Sequence, residues 1–202
     1  MPGKTAQPSL RIGAGSMRGR KLLPPPGGGT RPITGMVKKS LFSMLSGRLN
    51  GATVLDLYCG TGTLGLEALS GGGRRCFFAE RDRAVLARLR RNIDACDVAD
   101  AAAVWAGDIE SRLGEWLDQP DAPVDLAFVD PPYDSARRWV WEKITKKIFA
   151  PLAEVLADDG LVILRLPDDL VAPERLGRLH LQRRREYGGM VVAFYGLEKA
   201  DS

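Results

Sequence analysis

The sequence predicts an α/β fold: a mainly parallel seven-stranded sheet with helices on both faces, a C-terminal antiparallel hairpin and a small N-terminal extension. Three observations carry this. From residue 52 onward, short apolar runs alternate with segments of helical period, the pattern of strand–helix–strand units in a parallel sheet. Two strand patterns near 178–187 and 190–197 flank Gly188-Gly189, a hairpin turn signal. Ahead of the alternating region, Pro24-Pro25-Pro26-Gly27-Gly28-Gly29 breaks the chain and marks a linker. The expected division is a basic extension over 1–30 and a single α/β domain over 31–202.

Taken in order, residues 1–9 read as a disordered leader. Leu10 to Leu23 suits short extended pieces or a hairpin bearing Arg11, Arg18, Arg20 and Lys21. Val37, Leu41, Phe42, Leu45 and Leu49 recur at helical spacing, which predicts an amphipathic helix over 36–49, capped by Thr34 or Gly35, with Lys38 and Lys39 exposed. Strands follow at Thr53–Leu57, Cys76–Ala79, Ala103–Ala106, Val124–Val129 and Leu161–Leu166. Between them come helices at Leu64–Ser70, Ala84–Cys96 and near Ile109–Leu117, and a helical pattern through 136–157. No internal repeat of solenoid period is present.

The 202 residues suffice for one domain with a full core. No apolar run approaches the roughly 20 residues that span a bilayer, and Lys4 has no apolar stretch behind it, so neither a membrane span nor a secretory signal is expected. The three cysteines, Cys59, Cys76 and Cys96, are an odd count without C-x-x-C spacing. They argue against a disulfide framework or a zinc ribbon and predict a reducing, cytoplasmic setting without a metal. The net charge of +4 hides an asymmetry: residues 1–55 carry nine Lys and Arg and no acid, leaving 20 basic and 25 acidic groups beyond. A one-sided basic segment is the footprint of a polyanion-binding surface.

The first strand runs into Asp56-Leu57-Tyr58-Cys59-Gly60-Thr61-Gly62-Thr63-Leu64-Gly65. Its Gly-x-Gly-x-x-Gly spacing lets backbone approach a ligand at a helix N-terminus, where N–H groups are free. Glu80 ends the second strand and suits two vicinal ribose hydroxyls, each a donor to a carboxylate. Asp108 ends the third. Asp56 beside a pyrophosphate would be repulsive, whereas beside an ammonium it is attractive. That favours S-adenosylmethionine over a nicotinamide dinucleotide as cofactor.

The fourth strand ends in Asp130-Pro131-Pro132-Tyr133. Two prolines fix φ and remove two donors, so the loop presents rigid carbonyls. Asp130 and the Pro131 carbonyl are placed to accept the two hydrogens of an amino group, and Tyr133 offers a ring for a flipped base to stack on. Both loops fall at the carboxyl ends of strands, where open α/β sheets bind ligands. The single histidine, His180, reads as structural or surface.

These motifs, together with Leu64-Gly-Leu-Glu-Ala-Leu69, Arg11-Ile-Gly, Arg18-Gly-Arg-Lys-Leu22, Thr30-Arg31-Pro32 and Val37 to Leu45, resemble the RsmD family of 16S ribosomal RNA guanine-N2 methyltransferases over about residues 10–197. The resemblance implies a Rossmann-like class I methyltransferase fold, with S-adenosylmethionine held by Asp56, Tyr58, Gly60, Thr61, Gly62, Glu80, Arg81, Asp108 and Ile109. It further implies catalysis at Asp130, Pro131, Pro132 and Tyr133, and contact with 16S RNA or the small subunit through Arg11, Arg18, Arg20, Lys21, Arg31 and Lys38, by a monomer. The chain departs from the family pattern at Gly35, Met36 and Lys39, which bears on the RNA contacts and leaves the tetrapeptide intact. Four alternatives remain open at this level: adenine-N6 or cytosine-N4 methylation, methylation of a glutamine amide, a nucleotide-dependent oxidoreductase, and a non-catalytic RNA-binding assembly factor.

Overall fold

The computed structural model describes residues 10–28 and 33–198. The leader expected over 1–9, Arg31 and part of the expected linker lie outside the described residues.

The sheet has strands β1 (Thr53–Leu57), β2 (Arg75–Glu80), β3 (Ala102–Ala106), β4 (Val124–Val129), β5 (Leu156–Pro167), β6 (Arg175–Leu176), β7 (Leu179–Tyr187) and β8 (Met190–Leu197) in the order β3-β2-β1-β4-β5-β8-β7-β6. The first five run parallel. β8 is antiparallel to β5, and β7 pairs antiparallel with β8 across the Gly188-Gly189 turn. The expected seven strands are therefore present, with one addition: the two-residue β6, which pairs only with β7.

Period-two alternation along each buried strand divides the core into two layers. Val54, Phe78, Phe128, Ile163 and Val192 point to one face, packed with helices α1 (Gly35–Leu45), α2 (Thr63–Ser70) and α3 (Arg83–Cys96). Leu55, Phe77, Ala127, Leu164 and Ala193 point to the other, packed with α4 (Ile109–Trp116) and the helical segment after β4. Asp56, Glu80 and Arg165 continue the alternation of the first set.

Helix boundaries follow capping chemistry. The Thr34 hydroxyl accepts from the Val37 N–H at 3.3 Å and starts α1; Asp82 accepts from Ala84 and Val85 and starts α3. The continuous helix expected over 136–157 is instead broken. Short helices α5 (Tyr133–Ala136) and α6 (Trp141–Ile144) lead through a π-turn at Thr145–Phe149 into α7 (Ala150–Val155), and β5 begins at Leu156. Pro151 stands in the first turn of α7 and has no N–H to give to the preceding turn, which accounts for the widened helix there.

Residues 10–22 form a small hairpin with an antiparallel bridge between Arg11 and Lys21. Ile12, Met17 and Leu22 are buried in the same layer as α1–α3. The hairpin is bonded to α2 through Gly13 N–H to Glu67 Oε1 (2.6 Å), Ser16 N–H to the Ser70 carbonyl (2.9 Å), Met17 N–H to Ser70 Oγ (3.0 Å) and Ser70 Oγ to the Ala14 carbonyl (2.6 Å). At Gly15, φ is 79° and an added Cβ would sit 1.8 Å from the Ser70 carbonyl oxygen, so only glycine fits.

Lys38 departs from the expected exposure on α1 beside Lys39. It is buried at 6% exposure, its ammonium paired with the Glu67 carboxylate and bonded to the Arg11 carbonyl. The inner face of α1 meets α2 where Glu67 is buried, and a buried carboxylate requires a partner cation. Lys39 is exposed.

Candidate active site at the carboxyl ends of the strands

β1 lies between β2 and β4, with Leu57 beside both Ala79 and Val129. The segments that leave these strands, Tyr58–Gly62, Glu80 and Asp130-Pro131-Pro132, therefore emerge together at one end of the sheet.

The turn after β1 is tight. Tyr58 has φ 60°, rare for an aromatic residue, and Gly60 has φ 56°. The glycines divide by task. A Cβ on Gly62 would lie 2.5 Å from Leu89 Cδ1, and one on Gly65 would lie 2.3 Å from Phe78 Cε1, so both keep α2 close to the sheet and to α3. A Cβ on Gly60 would meet nothing within 4 Å. Of these three, only Gly60 borders open space.

Asp56 is 1% exposed; its Oδ2 accepts from Gly65 N–H at 2.8 Å, while Oδ1 is buried with no hydrogen-bond partner. Burial pushes its carboxyl up to about 8; the Gly65 bond opposes this, and the charges of Asp130 and Glu80 add to it. The Tyr58 hydroxyl is likewise buried without a partner, and burial together with Glu110 and Asp108 raises its phenol further above the ordinary range. Glu80 gathers three backbone donors, Gly60 N–H on Oε2 and the N–H groups of Arg81 and Asp82 on Oε1, which fix its orientation at the mouth of the turn. Asp108 caps the start of α4 in sequence position and pairs with Arg81 at 3.5 Å on the surface; Ile109 behind it is buried. Thr61 is buried, its carbonyl taken by Asn92 Nδ2 at 2.9 Å.

Asp130 is held between β4 and β5. Its N–H donates to the Leu57 carbonyl at 3.2 Å, and its Oδ1 accepts from Arg165 Nε at 2.5 Å. Burial raises the Asp130 carboxyl above the usual carboxylate range, and the Arg165 charge and hydrogen bond pull it back. The Pro132 carbonyl is used by Ser135 and Ala136 N–H, which open α5, so the acceptor the loop can turn toward a ligand is the Pro131 carbonyl. Tyr133 starts α5 with the guanidinium of Arg165 5.7 Å from its ring centroid and that of Arg137 at 6.0 Å.

The fold thus brings Asp56, Tyr58, Gly60, Glu80, Asp130 and Tyr133 to one end, with Arg81 and Asp108 at its rim. A buried unpartnered carboxylate oxygen, a buried phenol, an oriented second carboxylate and an open glycine fit a ligand that carries both an ammonium and vicinal hydroxyls. Of the expected polyanion contacts, Arg18 and Lys21 are exposed; Arg11 and Arg20 are exposed but also brace backbone, at the Gly19 and Ala95 carbonyls. Two residues at the site escaped the sequence reading. Arg165 is the one charged residue in the run Leu161–Leu166, a visible signal. Asn92 joins Thr61 to both backbone groups of Leu23 and had no sequence signal, since a lone Asn on a helix reads as surface.

A family model described as conserved hypothetical protein 95 matches residues 10–196. The chain belongs to this family, the RsmD family. Ribosomal RNA small subunit methyltransferase D of Escherichia coli K12 is 36% identical over 98% of this chain and 94% of its own. YlbH of Bacillus subtilis is 32% identical over 92% and 98%. The structure of a hypothetical protein of Thermus thermophilus superposes with a TM-score of 0.75 at 27% identity, covering 93% of this chain and 99% of that one. The fold of this RsmD-family chain is that of class I methyltransferases. Among the described residues no helix is long and apolar enough to cross a membrane.

Proposed function

We propose that this chain transfers a methyl group from S-adenosylmethionine to the exocyclic N2 amine of a guanine in 16S ribosomal RNA. The observation that carries the reading is the position of Asp130-Pro131-Pro132-Tyr133 at the end of β4, beside the Asp56–Gly62 turn that ends β1. The name of the Escherichia coli relative supports ribosomal RNA as the substrate class. The exposed Arg18, Lys21 and Lys39, in a segment free of acids up to Asp56, support a polyanion.

In this reading Asp56 Oδ1 receives the ammonium of the cofactor, Glu80 its ribose hydroxyls, and Gly60 leaves room for it. Tyr58, Thr61, Arg81, Asp108 and Ile109 complete the wall. When bound, S-adenosylmethionine supplies a methyl already activated by positive sulfur. The residues of the chain then act mainly by positioning. Asp130 and the Pro131 carbonyl accept the two amino hydrogens, which turns the nitrogen lone pair toward the methyl. Tyr133 stacks on the base, worth roughly 1–3 kcal/mol. The amine that takes the methyl would give up one proton, which Asp130 or water would accept.

The test is mass spectrometry of nucleosides from 16S RNA and small subunits incubated with the chain and S-adenosylmethionine. N2-methylguanosine is expected. N6-methyladenosine or N4-methylcytidine in its place moves the assignment to another amino base. Tight binding of a nicotinamide dinucleotide, with none of S-adenosylmethionine by calorimetry, overturns the cofactor and the reaction together.

A further inference from the structure

Arg165 stands where the sequence pattern calls for an apolar residue. It lies in the central strand β5, points to the same sheet face as Asp56 and Glu80, and its side chain is 11% exposed. Two contacts and one unused donor define it. Nε donates to Asp130 Oδ1 at 2.5 Å. The guanidinium lies 5.7 Å from the Tyr133 ring centroid, within cation–π range. Nη1 is buried with no hydrogen-bond partner. Burying a guanidinium is costly unless its donors are used, and a buried orphan donor on a charged group is costlier than one on a neutral group. The idle Nη1 lies on the arginine that also holds Asp130, so a ligand seated against Asp130 would find a donor there.

We infer that Arg165 is a positioning residue for the transfer: it fixes Asp130 through Oδ1, so that Oδ2 faces the amino group, and it directs Nη1 at the ring acceptor beside that amino group on the seated base. The inference rests on the methyltransferase reading and deepens it. An amino-bearing base always carries a ring nitrogen acceptor next to the amino carbon. In guanine the other neighbour of N2 is an N1–H donor, which an arginine cannot meet. Arg165 would therefore fix which edge of guanine enters first, with N3 toward β5. Around Asp130 stand Arg165 from β5, which bonds it and faces the Tyr133 ring, and Asp56 from β1, on which both Asp130 and Glu80 of β2 act by charge. Arg165 supplies the one positive charge among them, and without it the carboxyl is left among acids.

The experiment compares wild type, R165Q and R165K as full-length chains. Carboxyl-detected NMR titration of Asp130 needs no RNA. In R165Q the Asp130 carboxyl is expected to titrate about one unit or more higher than in wild type, and R165K to return most of the way. In methyl transfer, R165Q is expected to lower kcat by about tenfold or more at neutral pH, with its acid limb shifted upward by the same interval, because the ionised Asp130 is the working form. R165K is expected to restore the limb but not the full kcat, since an ammonium cannot hold Asp130 and the base acceptor in one planar fork. An unchanged Asp130 titration in R165Q overturns the inference, as does a wild-type kcat and acid limb. Should R165Q fail to fold, R165K with wild-type kcat overturns it equally. A wild-type chain that binds S-adenosylmethionine and methylates no RNA overturns the proposed function instead, while the titration still decides the Arg165–Asp130 pairing.

Discussion

Two carboxylates, Asp56 buried and Asp130 half-buried, share the mouth of the β1–β4 pair, and they are expected to behave differently. Asp130 has a guanidinium; Asp56 has one backbone N–H and an idle oxygen. Asp130→Asn keeps the shape and loses the charge. It is expected to reduce methyl transfer by about a hundredfold or more while cofactor affinity stays within a few-fold, read by single-turnover assay and calorimetry. Asp56 carries a pH signature in the ligand-free protein. Its carboxyl is raised to about 8 in the folded state, so between the unfolded value near 3.8 and about 8 the folded chain holds a proton that the unfolded chain has lost. The sign follows: this group's contribution is fully present below 3.8, is lost as pH rises through that window, and is flat above it. Asp56→Asn is expected to flatten the fall in Tm between about pH 5 and about pH 8 and to abolish cofactor binding. A parallel fall in both proteins would remove Asp56 as its source. For the same reason cofactor binding near neutral pH should expel a proton, visible as a dependence of calorimetric heat on buffer ionisation.

At the level of elements, the glycine turn and the hairpin–α2 seam make separable predictions. Gly65→Ala drives a methyl into Phe78 and Cys76 and is expected to lower stability by about 1–3 kcal/mol, with residual binding in whatever folds. Gly60→Ala has free space for its Cβ and only the left-handed backbone to oppose it, about 1–2 kcal/mol, yet is expected to lose cofactor affinity because that space is the ligand's. Equal effects of the two on Tm and affinity would contradict this division. Lys38→Met strands Glu67 and is expected to cost roughly 3–5 kcal/mol in denaturant unfolding. Adding Glu67→Leu recovers only part, since Gly13 N–H then loses its acceptor. Strands and the first four helices were legible in sequence because buried parallel strands read as short apolar runs and helices as 3.6-period stripes. What escaped was set by contacts distant in sequence. Lys38 sits on α1 beside an exposed lysine, and only the approach of Glu67 decides that it turns inward. The break in 136–157 was signalled by Pro151 and outweighed by the apolar periodicity around it. At the site, the motif residues were legible as a spaced set, whereas Arg165 becomes meaningful only when β4 and β5 lie side by side.

For the whole molecule, the basic residues form a surface that the N-terminal charge asymmetry described only in part. Arg183 and Arg185 on β7 are exposed and lie across from Phe194 and Val192, on the sheet face that carries α1. Arg183 reaches Met44, and Tyr187 bonds Ser40 at 2.9 Å, so the C-terminal hairpin and α1 present one side. Arg183→Ala with Arg185→Ala is expected to weaken RNA binding and to reduce the slope of log affinity against log salt by about 1–2, with cofactor affinity unchanged. An unaltered slope would place these arginines off the RNA path. The bond set of Asn92 has a consequence for motion. Its side chain holds the Leu23 N–H and carbonyl on one side and the Thr61 carbonyl on the other. Lifting the hairpin away would leave the buried Asn92 side chain without its two Leu23 partners. Fraying of this chain from its N-terminus is therefore expected to stop at Leu23. The amide of Leu23 should exchange with solvent hydrogen only as slowly as the larger opening that also loosens the turn around Thr61, and Asn92→Ala should release the first without waiting for the second.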